Sequence, residues 1–447
     1  LKPKRESAGG CRFSGEKRSI SMRRSGIPAP ILFALSVLLV RAEAARFADP
    51  CFENLAYGFF VQKSVPVTGA QKDGVSRRLG VPLVRLSNTT LTAHGTFVQV
   101  NILEARSEED AVRLFEVVSG MKGDPAFCLL RGRKVIEFCC RDPATAIKTA
   151  FELGLRPRPA WIRYRVAAEA APVHEADYMA LNPLFNLFLA LDAGETSPET
   201  GARIRSLSDR VRFGDTLVLR SFGGREESSA YRFDPEPSRV ERREGDRTAF
   251  VFENPPERRG IPFVSFQAEI VCGSRPGTKG RRNPPGRDLL RRTNFWPVDD
   301  PEVVRLARRI AGGEQSRAGK VRAVLRWLAP GTNLRIHGPT GSRFGVKKVF
   351  AQKFGHCWDF SDCFVTLARA AGVPARQVAG WLYGTGGHVW AEAWYDGGWR
   401  PVDPTGGGRL ECGIYHIPYF ITETGHMPIL YVSLPCVEIL ETGGHRK

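Results

Sequence analysis

Cys357, His388 and Asp403 follow one another in this chain in surroundings that suit nucleophilic acyl chemistry. Cys357 stands in FGHCWDFSDCFVTLARAAGVPAR, where a loop enters a run with Phe360, Phe364, Leu367 and Ala371 at helical spacing, ended by Gly372 and Pro374. A thiol on the first turn of a helix meets unpaired backbone N–H groups and the positive end of the helix dipole. Both favour a thiolate nucleophile and can supply an oxyanion donor. In GGHVWAEAWYDGGWRPVDPT, period-two alternation sets His388, Trp390, Glu392 and Trp394 on one strand face. A turn at Gly397-Gly398 leads into WRPVD, which returns Asp403 beside His388. The thiol needs a base and the imidazole needs an acceptor that fixes its tautomer, so the three residues fill complementary roles. Singly, each reads as a buried thiol, a core imidazole or a turn carboxylate before Pro404; the ordered set points to catalysis. Cys363, six residues after Cys357, turns about 240° net around the helix and is expected as a small core residue. A metal site from His356, Cys357, Cys363 and His388 is therefore not expected, and no metal or cofactor is assigned.

The segments GHCWDFSD, LARAAGVPARQVAGW, GHVWAEAW and GWRPVDPT, in this order, resemble the transglutaminase-like superfamily over roughly residues 300–405. The resemblance implies a papain-like α+β core, with Cys357 as nucleophile, His388 as base and Asp403 as its orienter. It also implies an acyl-enzyme formed from amide bonds of peptides or proteins. FGHCWDF and HVWAEAW are similar to the corresponding segments of animal transglutaminases. Those enzymes carry an oxyanion-stabilising Trp before a Gly-Ser pair; in GPTGS here Pro339 holds that place. No acidic cluster resembles their calcium sites, and 44 residues follow Asp403 where they carry two barrels. Hydrolysis by water, as in a cysteine protease or amidase, is thus expected ahead of crosslinking by an amine acceptor. A noncatalytic envelope-assembly or binding protein on the same fold is the remaining alternative. Peptide N-glycanases share the Cys-x5-Cys-Phe spacing, but this chain lacks their paired Cys-x-x-Cys zinc ligands.

The elements that must position these residues occupy the last third of a 447-residue chain, 42% hydrophobic and 25% charged. Such a chain can bury several cores, which excludes a disordered tail or a disulfide-stapled miniprotein. Residues 1–44 read as a leader. Arg23 and Arg24 follow Met22, the expected start, and precede the apolar run from Ile27 to Val40 and Ala42-Glu43-Ala44, the pattern of a secretory signal peptide. That run is too short for a stable membrane span, so an extracytoplasmic location is expected. Residues 45–157 alternate strands and helices, an α+β module with a small sheet covered on one face. Residues 158–274 read as a β-rich module, and 275–292 as a basic linker that does not match a phosphate-binding loop. Residues 293–447 hold seven of the eight tryptophans and form the expected catalytic domain, the two N-terminal modules docking substrate or envelope partners. After Asp403 the tail reads as two or three strands that extend the sheet or roof the cleft. His416 and Tyr415 are candidate cleft residues, with core packing expected ahead of that, and Cys412 and Cys436 flank the tail as a candidate bridge.

Lys and Arg exceed Asp and Glu by 18, but the leader carries nine basic and three acidic residues, so its removal leaves +12. Arg accounts for 51 of the 65 basic residues and is spread along the chain, so no nucleic-acid partner is expected. Nine cysteines remain beyond the leader, an odd number without a Cys-x-x-Cys pair. Cys357 is the natural candidate for the unpaired thiol.

Overall fold

A computed structural model of the protein describes residues 50–53, 55, 59–93, 96–176, 184, 187, 197–221, 231–242, 248–258, 260–273, 285–339, 341–406, 413–431 and 435–444. The leader, the linker as far as 284 and any bridge from Cys412 lie outside the described residues. The chain divides between Arg158 and Pro159 into two compact units.

The first unit runs β1 (Phe59–Val67), α1 (Gly69–Leu79), β2 (Leu83–Ala93), β3 (Thr96–Ala105), α2 (Glu108–Lys122), β4 (Cys128–Arg131), β5 (Lys134–Cys139) and α3 (Pro143–Glu152). Its strands form an antiparallel sheet in the order β1-β2-β3-β5-β4. Helix α2 starts where the Ser107 hydroxyl accepts from the Asp110 N–H, ahead of three acidic residues in the first turn, and stops at the left-handed Gly123. Leu103, Leu130 and Val135 pack under Leu114 and Val118 of this helix. On the opposite parity Val98, Val100, Ile136 and Phe138 are fully buried as well. The sheet is thus buried on both faces rather than one, because β5 carries apolar side chains on both of its parities.

The second unit contains β6 (Trp161–Ala176), β7 (Val264–Gly273), α4 (Pro301–Ala311), α5 (Arg317–Leu328), α6 (Val346–Gln352), α7 (Cys357–Ala370), β8 (Ala375–Leu382), β9 (Gly386–Tyr395), β10 (Gly398–Val402), β11 (His416–Thr422), β12 (Ile429–Tyr431) and β13 (Cys436–Gly443). Strand β6 pairs with β7 and also with β12 and β13 from the far end of the chain. The stretches 158–274 and 293–447 therefore share one compact unit and one sheet. A second sheet has the antiparallel order β10-β9-β8-β11, so the tail contributes β11 to it and sends β12 and β13 to β6.

Helix α7 packs against β8 and β9 and against helices α4 and α5. It is buried from Asp359 to Arg369. Phe360, Phe364 and Leu367 meet Val321, Val324 and Leu328 of α5, Val303 and Ala307 of α4, and Ala391 and Ala393 of β9. Each such large side chain contributes about 2 to 3 kcal/mol through burial. A helix held on several sides fixes the direction in which its first residue, Cys357, points.

Gly380 of β8 lies opposite His388 of β9, next to an irregularity in the β8–β11 register. A Cβ there would fall 2.0 Å from the Ile417 carbonyl oxygen and 2.6 Å from the Trp390 ring. Neither strand backbone nor a buried indole yields readily. Gly380→Ala is expected to destabilise the second unit by about 1 to 3 kcal/mol, the usual cost of overpacking. Urea unfolding measures this; a value near zero would mean that the strands accommodate the methyl group.

Candidate active site

Helix α7 begins directly after the short strand Phe354–Gly355, with His356 as its N-cap residue. The Asp359 carboxylate folds back to accept from the His356 N–H at 3.1 Å. This return requires glycine at 355, where a Cβ would come within 2.6 Å of the Asp359 side chain. Cys357 is the first residue of the helix, where backbone N–H groups have no partner within the helix. Its side chain is half-buried and packs with Trp358 and Phe420 against Ala379, Val389 and Met427.

His388 comes from β9, and its ring is 11% exposed. Its Nε2 lies 2.6 Å from Oδ2 of Asp403, which is buried just past the end of β10. Cys357 is close enough to the same imidazole to favour its charged form. Since Nε2 faces Asp403, Nδ1 is the ring atom left for the thiol. The structure thus brings together the three residues singled out by sequence. His356 is turned elsewhere, its Nε2 2.6 Å from the Gly338 carbonyl. Cys363 is fully buried in the core, where desolvation pushes its thiol pKa well up.

Asp403 has further partners. Its Oδ1 accepts from the Thr405 N–H at 2.9 Å and from the Thr405 hydroxyl at 2.7 Å. Its Oδ2 also lies 3.0 Å from Nε2 of His416, the buried first residue of β11. His416 is thus in the interior, as expected, and also touches the site. His388, Asp403 and His416 place three potential ligand atoms within 4.8 Å of one another. Tetrahedral zinc at 2.0–2.1 Å from each ligand would hold those atoms ~3.3 Å apart. The 2.6 Å contact is too short for two ligands of one ion and suits a charge-assisted hydrogen bond.

Burial alone would lower the His388 pKa, but the Asp403 charge, its hydrogen bond and the Cys357 sulfur outweigh desolvation and push it up to about 10. Asp403 is desolvated too, yet the two imidazoles hold its carboxyl well below the usual range. A histidine whose pKa rises on folding contributes stability that is complete below about 6.5 and is lost as pH rises through about 10. Urea midpoints of the native chain should therefore fall between pH 6.5 and 10 by more than those of His388→Ala. Parallel curves for the two proteins would remove the linkage. Asp403 works in the opposite sense, its stabilisation fading as pH falls below the carboxylate range.

The loop before α6 is tied to α7 by buried polar groups. The Ser342 hydroxyl and the Phe344 N–H donate to Asp359 at 2.9 and 2.6 Å. Arg343 donates through Nε and Nη2 to the two Asp362 oxygens at 2.7 and 2.9 Å. Asp362 Oδ1 also accepts from Trp296 Nε1 and Gln377 Nε2 at 2.9 and 2.8 Å. Gln377 in turn accepts from Trp358 Nε1 at 3.3 Å, one residue from Cys357. Among these supports only Thr405 had a local signal, since Asp-Pro-Thr commonly folds as a side-chain-bonded turn. Arg343 lies outside the quoted motifs, and although Asp362 and Gln377 lie within GHCWDFSD and LARAAGVPARQVAGW, no local pattern tells that the three side chains meet.

The sequence profile of the transglutaminase-like superfamily matches residues 304–404. The Mycobacterium leprae (strain TN) protein ML0607, described as uncharacterised, is 30% identical over 129 residues. That alignment covers 26% of this chain and 45% of the relative, so this chain spans about half of its length. Among solved structures, a candidate cysteine protease from Cytophaga hutchinsonii is similar at 15% identity and a TM-score of 0.36, over 63% of this chain and 91% of that one. The periplasmic domain of TgpA from Pseudomonas aeruginosa is similar at 16% identity and a TM-score of 0.27, over 55% of this chain and 88% of that one. Cys357, His388 and Asp403 all lie inside the profile match, and residues 304–404 are a transglutaminase-like domain.

Proposed function

We propose that this protein is an exported cysteine hydrolase of amide bonds in peptides or proteins, with Cys357 as nucleophile, His388 as general base and acid, and Asp403 as the group that orients His388. The observation that carries this reading is the 2.6 Å contact of the His388 ring with buried Asp403, on an imidazole that also feels the Cys357 sulfur, with that thiol on the first turn of α7. The thiol proton passes to His388, and the sulfur attacks the amide carbonyl to form a tetrahedral oxyanion held by N–H groups at the helix start. The imidazolium gives its proton to the leaving amine, the C–N bond breaks and a thioester remains. Water, deprotonated by His388, attacks the thioester and releases the acid and the thiol. Water is the proposed acceptor because, taking GPTGS as the counterpart of the Gly-Ser segment of animal transglutaminases, Pro339 stands at the position of their oxyanion-stabilising Trp.

Incubation with denatured protein, with and without a primary amine, tests the reading. New N-termini and unchanged products with amine are expected. Amine incorporation would make the protein a transamidase, and inertness would make it a binding protein on this fold. The first unit is proposed to dock substrate or an envelope partner. Among the described residues no helix is long and apolar enough to cross a membrane. N-terminal sequencing of exported protein should begin at Ala45; an intact Leu1 would overturn the leader.

A further inference from the structure

Asp403 does not serve His388 alone. Its Oδ2 lies 2.6 Å from the Nε2 of His388 and 3.0 Å from the Nε2 of His416, while Oδ1 takes both donors of Thr405. Two donors on each oxygen fill the acceptor capacity of a carboxylate. His416 is brought there by β11, whose first residue pairs with Leu382 of β8, and its side chain is 2% exposed. Its ring stands edge-on to Trp390 at 5.1 Å, while the same indole stacks on the His388 ring at 6.1 Å. The two imidazoles are thus set against one aromatic wall and converge on one oxygen.

We infer that His416 is a positioning residue of the site: by donating Nε2–H to Oδ2 it fixes the Asp403 carboxylate and disperses its charge, which limits how tightly Asp403 holds the His388 imidazolium. The inference rests on the catalytic reading above. The reaction needs His388 to release a proton to the leaving amine as well as to take one from the thiol. A carboxylate that pulls too strongly on the imidazolium would arrest it in the charged form, and an effective acid–base group works best near the operating pH. A donor on the carboxylate weakens that pull without removing it. The titratable groups that face this cluster include Cys357 of α7, His388 of β9 and His416 of β11. Thr405 supplies the neutral donors.

The experiment uses the full chain with His416→Phe, which keeps an aromatic ring but no donor, and His416→Gln, which keeps a side-chain N–H. The His388 ring is titrated by NMR, its signal assigned by its loss in His388→Asn. In His416→Phe the His388 midpoint should rise relative to the native chain, and in His416→Gln it should return towards the native value. Where a substrate is cleaved, His416→Phe should lower kcat by roughly 10- to 100-fold with little change in KM, the scale seen when a supporting group or about 1 Å of alignment is lost. An unmoved His388 midpoint in a folded His416→Phe protein would overturn the inference. So would equal shifts in the Phe and Gln variants, which would mark His416 as packing only. The titration needs no turnover, so it tests His416 even if the native chain proves inert. Inertness of the native chain is the separate outcome that removes the catalytic reading.

Discussion

Alanine at position 357 is expected to leave a folded protein that no longer hydrolyses amide bonds, with kcat lowered on the order of 10^4- to 10^6-fold, as when other nucleophile–base pairs lose the nucleophile. The substitution should cost little stability. Cys357 is half-buried at the first position of α7, and alanine is the best helix former. Covalent labelling gives a second readout. Burial pushes the thiol pKa of Cys128 up to about 12 and that of Cys140 up to about 11, raises that of Cys139, and holds that of Cys363 well above the usual thiol range. These thiols should react slowly with iodoacetamide near neutral pH, because the thiolate is the nucleophile. Cys51 and Cys436 are exposed and will react, so labelling must be resolved peptide by peptide. The label on the Cys357 peptide should vanish in Cys357→Ala while Cys51 and Cys436 keep theirs. Hydrolysis that survives in Cys357→Ala, with matched urea midpoints, would sink the nucleophile assignment.

What the sequence made legible was local. The apolar spacing before Gly372 and Pro374 marked α7, and alternation across the Gly397-Gly398 turn marked β9 and β10, because both patterns complete within about twenty residues. The partners of β6 were not legible. A strand beginning at Trp161 pairs with strands beginning at Ile429 and Cys436, and nothing in either segment names its neighbour across that distance. For the same reason the composition break near 275–292 was visible, while the shared sheet joining both sides of it was not. His416 shows the limit at the site itself. A lone histidine in an apolar tail reads as core ahead of cleft, and its contact with Asp403 exists only once β11 is added beside β8. Long-range pairing, not residue chemistry, decides which polar side chains meet.

Arg343 makes that dependence measurable, and Arg343→Met is expected to destabilise the second unit by about 3 to 5 kcal/mol, the cost of stranding one partner of a buried ion pair. The guanidinium and the Asp362 carboxylate are only 2% and 1% exposed, so solvent does little to screen the loss. Without Arg343, Asp362 keeps only the Trp296 and Gln377 donors named above, and the Gly425 carbonyl loses its hydrogen bond from Nη1. The Phe295 ring, 3.9 Å below the guanidinium, loses its cation as well. Adding Asp362→Asn should recover part of the loss, because the charge is gone while an amide oxygen remains for Trp296 and Gln377. The recovery isolates the charge pairing from the packing. Urea unfolding followed by tryptophan fluorescence reads both variants, since seven of the eight tryptophans lie beyond residue 290. A single variant within about 0.5 kcal/mol of native, the range of ordinary surface changes, would show that the pair does not hold the loop. Because Gln377 links Asp362 to Trp358 beside Cys357, the folded fraction of Arg343→Met should also alkylate Cys357 more slowly. A loop-to-helix tie that no local pattern announces would then be shown to set the aim of the thiol.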